Sequence, residues 1–105
     1  MKQYRIIIMP AAEEGLLEIG EYIATDNPAR AIKFLDEITQ SLRKTLSVFP
    51  HSGKVVDNLD LGEEIRVLHY RNYNSYYRVV EETQTVEVLF IFNAGRDVQA
   101  LIGSL

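Results

Sequence analysis

The chain has 105 residues, a formal net charge of −4, 47% hydrophobic residues and no cysteine. That length predicts one domain over 1–105, and that apolar content excludes a disordered chain. The missing cysteines exclude a disulfide framework and a thiolate zinc site, no apolar run approaches the ~20 residues of a membrane span, and the acidic balance argues against direct nucleic-acid binding, which phosphate neutralisation drives.

Gln3–Met9 is the first predicted strand. Tyr4, Ile6 and Ile8 alternate with Arg5, Ile7 and Met9, and apolar residues on both faces predict an interior position in a sheet. The short apolar run and the acidic residues after it read as a buried strand rather than a signal peptide, and a cytoplasmic protein is expected. Pro10 ends the strand and suits the first turn of a helix, where a missing N–H costs nothing. Ala12, Leu16, Ile19, Gly20 and Ile23 then form one helical stripe, predicting a helix to about Ala24. Glu13, Glu14, Glu18 and Glu21 recur on the same segment and read as its solvated face.

Asp26-Asn27-Pro28 stops this helix and starts another, with Asn27 as cap and Pro28 at the first position. Ala31, Phe34, Leu35, Ile38, Leu42, Leu46 and Phe49 recur at three- and four-residue steps. They predict a long amphipathic helix ending before Pro50 and packed as a hairpin with the first. Pro50–Glu63 reads as a loop, with turn residues at Pro50, Gly53, Asn58 and Gly62.

Three strand-like runs follow: Ile65–His69, Tyr73–Val80 and Val86–Phe92. β-Branched and aromatic residues at period two suit a pleated, half-buried surface, and links of about four to five residues suit antiparallel neighbours. The tail Val98–Leu105 reads as one helical turn docked on the body. The predicted order is β-α-α-β-β-β, an α+β fold with the helix hairpin on one face of an antiparallel sheet. Leu16, Ile23, Phe34, Leu35, Ile38, Leu42, Tyr77, Val88 and Phe90 are the expected core. The face carrying Glu87, Leu89, Ile91 and Asn93 is the more polar one on the last strand and is the expected open side, where scattered apolar residues mark a binding surface.

The candidate chemistry is sparse. Arg66 and Arg78, if they share a face, can hold a phosphate or a carboxylate bidentately; Arg96 is a further basic residue of the region. Their plainer reading is strand residues paired with Glu64, Glu87 or Asp97. Four of the six tyrosines fall within Tyr70–Tyr77; Tyr73 and Tyr77 share a face and read as core, whereas Tyr76 points the other way. His51 and His69 are the only histidines, and neither belongs to an HExxH or spaced Cys/His set, so no metal site is expected. No Gly-rich phosphate loop or GxSxG elbow appears, and no cofactor is expected.

Six segments, covering nearly the whole chain, together resemble the ParE-like branch of the RelE/ParE toxin superfamily. They are Met9-Pro10-Ala11-Ala12; Asp26-Asn27-Pro28-Ala29-Arg30-Ala31; Phe49-Pro50-His51-Ser52-Gly53; Ile65-Arg66-Val67-Leu68; Asn72-Tyr73 with Tyr76-Tyr77-Arg78-Val79; and Phe92-Asn93-Ala94-Gly95-Arg96-Asp97. The last departs from the family's closing H-x-R-R-D: Asn93 replaces the histidine and Gly95 the first arginine. The resemblance implies a toxin of a type II toxin–antitoxin system of the plasmid-stabilisation type, held in a hetero-oligomer by a ParD-like antitoxin and directed at DNA gyrase. An amide does not exchange protons near neutral pH, and this favours a binding inhibitor over a ribosome-dependent endoribonuclease of RelE type. In the enzymatic alternative, His69, Tyr76 and Arg78 take the catalytic roles; a third reading is an inactive homologue that only binds antitoxin. The expected target- or antitoxin-binding residues are Arg66, Tyr76, Arg78, Leu89, Ile91 and Arg96.

Overall fold

The computed structural model describes residues 3–56, 62–96 and 101. Its elements are strand β1 (Arg5–Ile8), helices α1 (Pro10–Ala24) and α2 (Pro28–Val48), strands β2 (Lys54–Val55), β3 (Arg66–Tyr70) and β4 (Tyr73–Val80), a 3₁₀ turn at Glu81–Thr83, and strand β5 (Thr85–Asn93). Both helices begin where the sequence directs. Pro10 and Pro28 open them, and the Asn27 side chain accepts the Arg30 N–H at 3.1 Å. That bond satisfies one of the donors a helix start leaves free. No described helix is long and apolar enough to cross a membrane. The turn expected at 98–105 lies outside the described residues, Leu101 excepted, as do the turn at Asn58 and any pairing of Asp97.

The sheet order is β1-β5-β4-β3-β2. The expected meander β3-β4-β5 is antiparallel throughout, and the helix hairpin packs on one face. β1 is an edge strand, not an interior one, and lies parallel to β5 alone. Its outer side is closed by α2 instead of by a strand. Tyr4 N–H donates to Ser47 O at 2.9 Å, and the Arg43 guanidinium reaches Ile6 O at 3.2 Å. This cover occupies an edge otherwise open to pairing with another chain. Only the Tyr4, Ile6 and Ile8 side of β1 joins the core; Ile7 is exposed.

The main core lies between the hairpin and the sheet and contains Ala12, Ile19, Phe34, Ile38, Leu42, Leu46, Tyr77, Val86 and Val88. Leu16 and Ile23 pack at its margin, while Phe49, expected to close the α2 stripe, is exposed. The last strand departs from strict alternation. Tyr76 pairs with Phe90 but Tyr77 pairs with Val88, leaving Leu89 as an extra residue on β5. Such a bulge inverts the side-chain parity beyond it. Ile91, expected on the open face, therefore turns into the helix-side core, and Phe90, expected in that core, turns to the open face.

The loop 50–63 also holds structure that its composition did not signal. Lys54 and Val55 pair with Val67 and Arg66 as β2. The β3–β4 link is only Arg71 and Asn72, with Arg71 at φ 53°, shorter than the expected four to five residues.

Candidate functional site

The sheet face turned away from the helices carries a second apolar cluster. Ile65, Val67 and Tyr76 are buried there, with Val56, Leu89, Phe90 and Phe92 partly covered around them. Phe90 and Phe92 stack at 5.7 Å between ring centroids, and Tyr76 meets Phe92 at 6.3 Å in a tilted pair, both favoured aromatic geometries. Ile65, only 1% exposed, stands just before β3 and extends its pairing with β2, its carbonyl accepting the Val56 N–H at 2.8 Å.

Arg78 lies on this face opposite Glu87. Its Nε donates to Glu87 Oε1 at 2.5 Å, and its Nη1 donates to both carboxylate oxygens of Glu63, at 2.6 Å to Oε2. Its hydrogen bonds to Glu63, and then that to Glu87, raise the guanidinium's pKa above its ordinary value. One cation thus faces two anions, and the cluster carries a net negative charge.

Farther up the same face the His69 Nδ1–H donates to Asn74 Oδ1 at 2.5 Å, and Asn74 Nδ2 approaches the Tyr76 hydroxyl at 3.5 Å. With Lys54, Val55, Val56 and Val67 these residues line a recess of 370 Å³. Tyr76 itself is 6% exposed; only its polar end takes part.

Arg66 does not share a face with Arg78. The two-residue hairpin sets Arg66 opposite Tyr77, one residue out of phase with Arg78. Its Nη1 donates to His51 O at 3.0 Å and Gly53 O at 2.8 Å, and its Nη2 lies 3.1 Å from Glu64. The Gly53 N–H in turn donates to the buried Tyr77 hydroxyl at 2.8 Å. A Cβ at Gly53 would stand 2.5 Å from that hydroxyl oxygen, so only glycine lets the loop come this close. Burial pushes the Tyr77 hydroxyl's pKa up, against the opposing pull of the Gly53 N–H, Arg66 and Ser52. The structure therefore places Arg66 as a clamp on the loop 49–53.

Ile91 and Arg96 meet at a different place. A groove of 510 Å³ runs between α1 and the end of β5, with Gly15, Ile19, Tyr73 and Ile91 in its lining and Glu18, Tyr22, Asn72, Asn93 and Arg96 around it. It forms because α1 rests directly on the Ile91 carbonyl, where a Cβ on Gly15 would overlap. Of the six binding residues expected from sequence, Tyr76, Arg78 and Leu89 share the open face, Ile91 and Arg96 belong to this groove, and Arg66 stands apart. Glu18, Tyr22 and Asn72 were not anticipated as site residues; Gly15, a glycine in the interior of α1, is the one local signal that a backbone comes close there.

The sequence model described as ParE toxin of type II toxin-antitoxin system, parDE, matches residues 6–98. The chain belongs to the ParE toxin family. Among solved structures it is similar to the RelBE2 toxin–antitoxin complex from Mycobacterium tuberculosis, at 21% identity and a TM-score of 0.67, over 89% of this chain and 93% of that one. The chromosomal ParDE TA system from P. aeruginosa aligns at 18% identity and a TM-score of 0.69, over 87% of this chain and 96% of that one. The intact E. coli RelBE complex aligns at 18% identity and a TM-score of 0.58, over 89% and 99%. These likenesses fix the fold as RelE/ParE-like. No match is found among curated protein sequences. The motif segments of this ParE-family chain have identifiable structural work: Pro10 and Asn27-Pro28 start helices, Gly53 admits the Tyr77 hydroxyl, Arg66 clamps the loop, and Asn93 sits at the groove.

Proposed function

We propose that this chain is the toxin of a type II toxin–antitoxin pair and acts by binding DNA gyrase, as a single cytoplasmic domain over 1–105. The observation that carries the reading is the double engagement of Arg78 by Glu63 and Glu87. A site that cleaves RNA needs cationic charge left over for the phosphodiester and its developing negative charge. Here the arginine of the open face is matched by two carboxylates, and the strand end carries Asn93, an amide that neither gives nor takes a proton near neutral pH. Family membership and the toxin–antitoxin complexes among its structural relatives support a cognate, ParD-like antitoxin as the neutralising partner. The antitoxin segment seats apolar anchors on Leu89, Phe90 and Phe92 beside Tyr76. With two carboxylates already on Arg78, the group that complements this cluster is a cation.

A second reading has one specific support. His69, Asn74, Tyr76 and Lys54 line a common recess, which gathers groups able to exchange protons on one sheet face. Induced expression in bacteria separates the two. Filamentation with a DNA-damage response, together with loss of supercoiling by purified gyrase, is expected. Cleavage of mRNA on the ribosome by the purified protein would overturn the gyrase reading, and growth without any phenotype would assign an inactive homologue.

A further inference from the structure

The groove beneath α1 meets the open-face cluster at Phe92 but otherwise has its own residues and its own chemistry. Its floor is apolar and includes a helix backbone, at Gly15. Its two walls carry opposite charges: Glu18 projects from α1, and Arg96 follows the end of β5. Both are exposed, and among the described residues neither makes an ion pair or a side-chain hydrogen bond. Tyr22 stands at the rim with 73% of its surface exposed. Asn93 accepts the Gly95 N–H through Oδ1 at 3.0 Å, which leaves its amide NH₂ to donate outward.

We propose that this groove is a docking site for a partner polypeptide that presents an apolar anchor flanked on one side by Lys or Arg and on the other by Asp or Glu. The apolar floor takes the anchor, Glu18 takes the cation and Arg96 the carboxylate. Asparagine amides on the wall match a peptide group in donor and acceptor, which a lipid or an aliphatic small molecule does not offer. The opposed charges also fix the direction in which the segment lies, because reversing it sets like charges against each other. This surface shares only Phe92 with the one assigned to the antitoxin above, and the inference does not depend on gyrase being the target.

The test uses the full chain, labelled with nitrogen-15, and three end-blocked peptides: Lys-Leu-Leu-Glu, Lys-Leu-Leu-Lys and Glu-Leu-Leu-Glu. Amide shift titrations of the wild-type protein should map to Gly15, Ile19, Asn72 and Asn93 and favour the mixed-charge peptide. Each mismatched charge should weaken binding about two- to fivefold, the scale of one exposed ion pair. Glu18→Lys should transfer the preference to the doubly acidic peptide, and Arg96→Glu to the doubly basic one. Both are solvent-exposed changes, and the spectra themselves report that each variant is folded. An unchanged ranking in the variants, shifts confined to the open sheet face, or no shifts with any peptide would each overturn the assignment, whatever the toxicity assays show.

Discussion

Gly15 and Gly20 lie one and a half turns apart on α1 and are both buried. The same substitution at each should have opposite consequences. Replacing glycine by alanine inside a helix gains about 0.8–1 kcal/mol of intrinsic propensity. At Gly20 the new methyl would meet Leu35 Cδ1 at 2.8 Å. That atom is the far end of a flexible side chain that is itself only half-buried, so it moves aside at a cost near the low end of the ~1–3 kcal/mol range for overpacking. Gly20→Ala should therefore be within about 1 kcal/mol of wild type. At Gly15 the methyl meets the carbonyl oxygen of Ile91. This is strand backbone, held by β4 with Ser75 as cross-strand partner, and it cannot rotate away as a side chain does. Helix α1 must lift from β5, at the upper end of the overpacking range or beyond. After the propensity gain, a net loss of about 2 kcal/mol or more is left. For a domain of this size that lowers Tm by roughly 8–16 °C. Urea titrations and thermal melts followed by circular dichroism measure both variants. A Gly15→Ala protein as stable as Gly20→Ala would refute the claim that α1 rests on the Ile91 carbonyl, and with it the origin of the groove.

Tyr77→Phe leaves the buried Gly53 N–H without its acceptor and should cost about 1–3 kcal/mol, read by chemical denaturation. Since burial raises the folded pKa of Tyr77 above the ordinary value of about 10, the stability from the neutral phenol is complete below that pH and is lost as pH climbs through the folded value; Tyr77→Phe should remove that part of the alkaline decline. Phe34, 4% exposed and packed on Tyr70 and Tyr73, should lose ~3–5 kcal/mol on truncation to Ala, whereas the open-face Phe90, only partly covered, should lose about 1–2 kcal/mol; equal losses in urea would contradict the bulge at Leu89. Ser75 Oγ is buried with no hydrogen-bond partner among the described residues, so Ser75→Ala should be neutral or stabilising by up to ~1 kcal/mol in the same assay, and a marked destabilisation would mean that the hydroxyl has an acceptor in solution.

Elements whose signals are local could be read from the residues alone. Pro10, Asn27-Pro28 and Pro50 bracket the two helices because proline acts on its own φ and its own missing N–H, and an asparagine cap acts within three residues. The strands β3, β4 and β5 were legible from alternation, and so was the hairpin cover that their apolar face requires. The opposite faces of Arg66 and Arg78 were not legible, because they follow from a two-residue β3–β4 link, shorter than the one expected from the sequence, and a hairpin that short fixes the register of every pair behind it.

The tertiary structure alone decided the rest. β1 is apolar on both sides, as an interior strand is, but its position at the edge depends on Arg43 and Ser47, thirty-seven or more residues away, closing its outer side. The bulge at Leu89 has no distinguishing residue type. It arises from how β5 fits β4, and by inverting parity it sends Ile91 to the core and Phe90 to the open face. The charge state of the open face is likewise a matter of non-local placement: Arg78 meets Glu63 and Glu87 only once the chain has folded. Local chemistry chooses the element, whereas facing, edge position and charge neutralisation are set by pairings between distant residues, to which periodicity within a segment is blind.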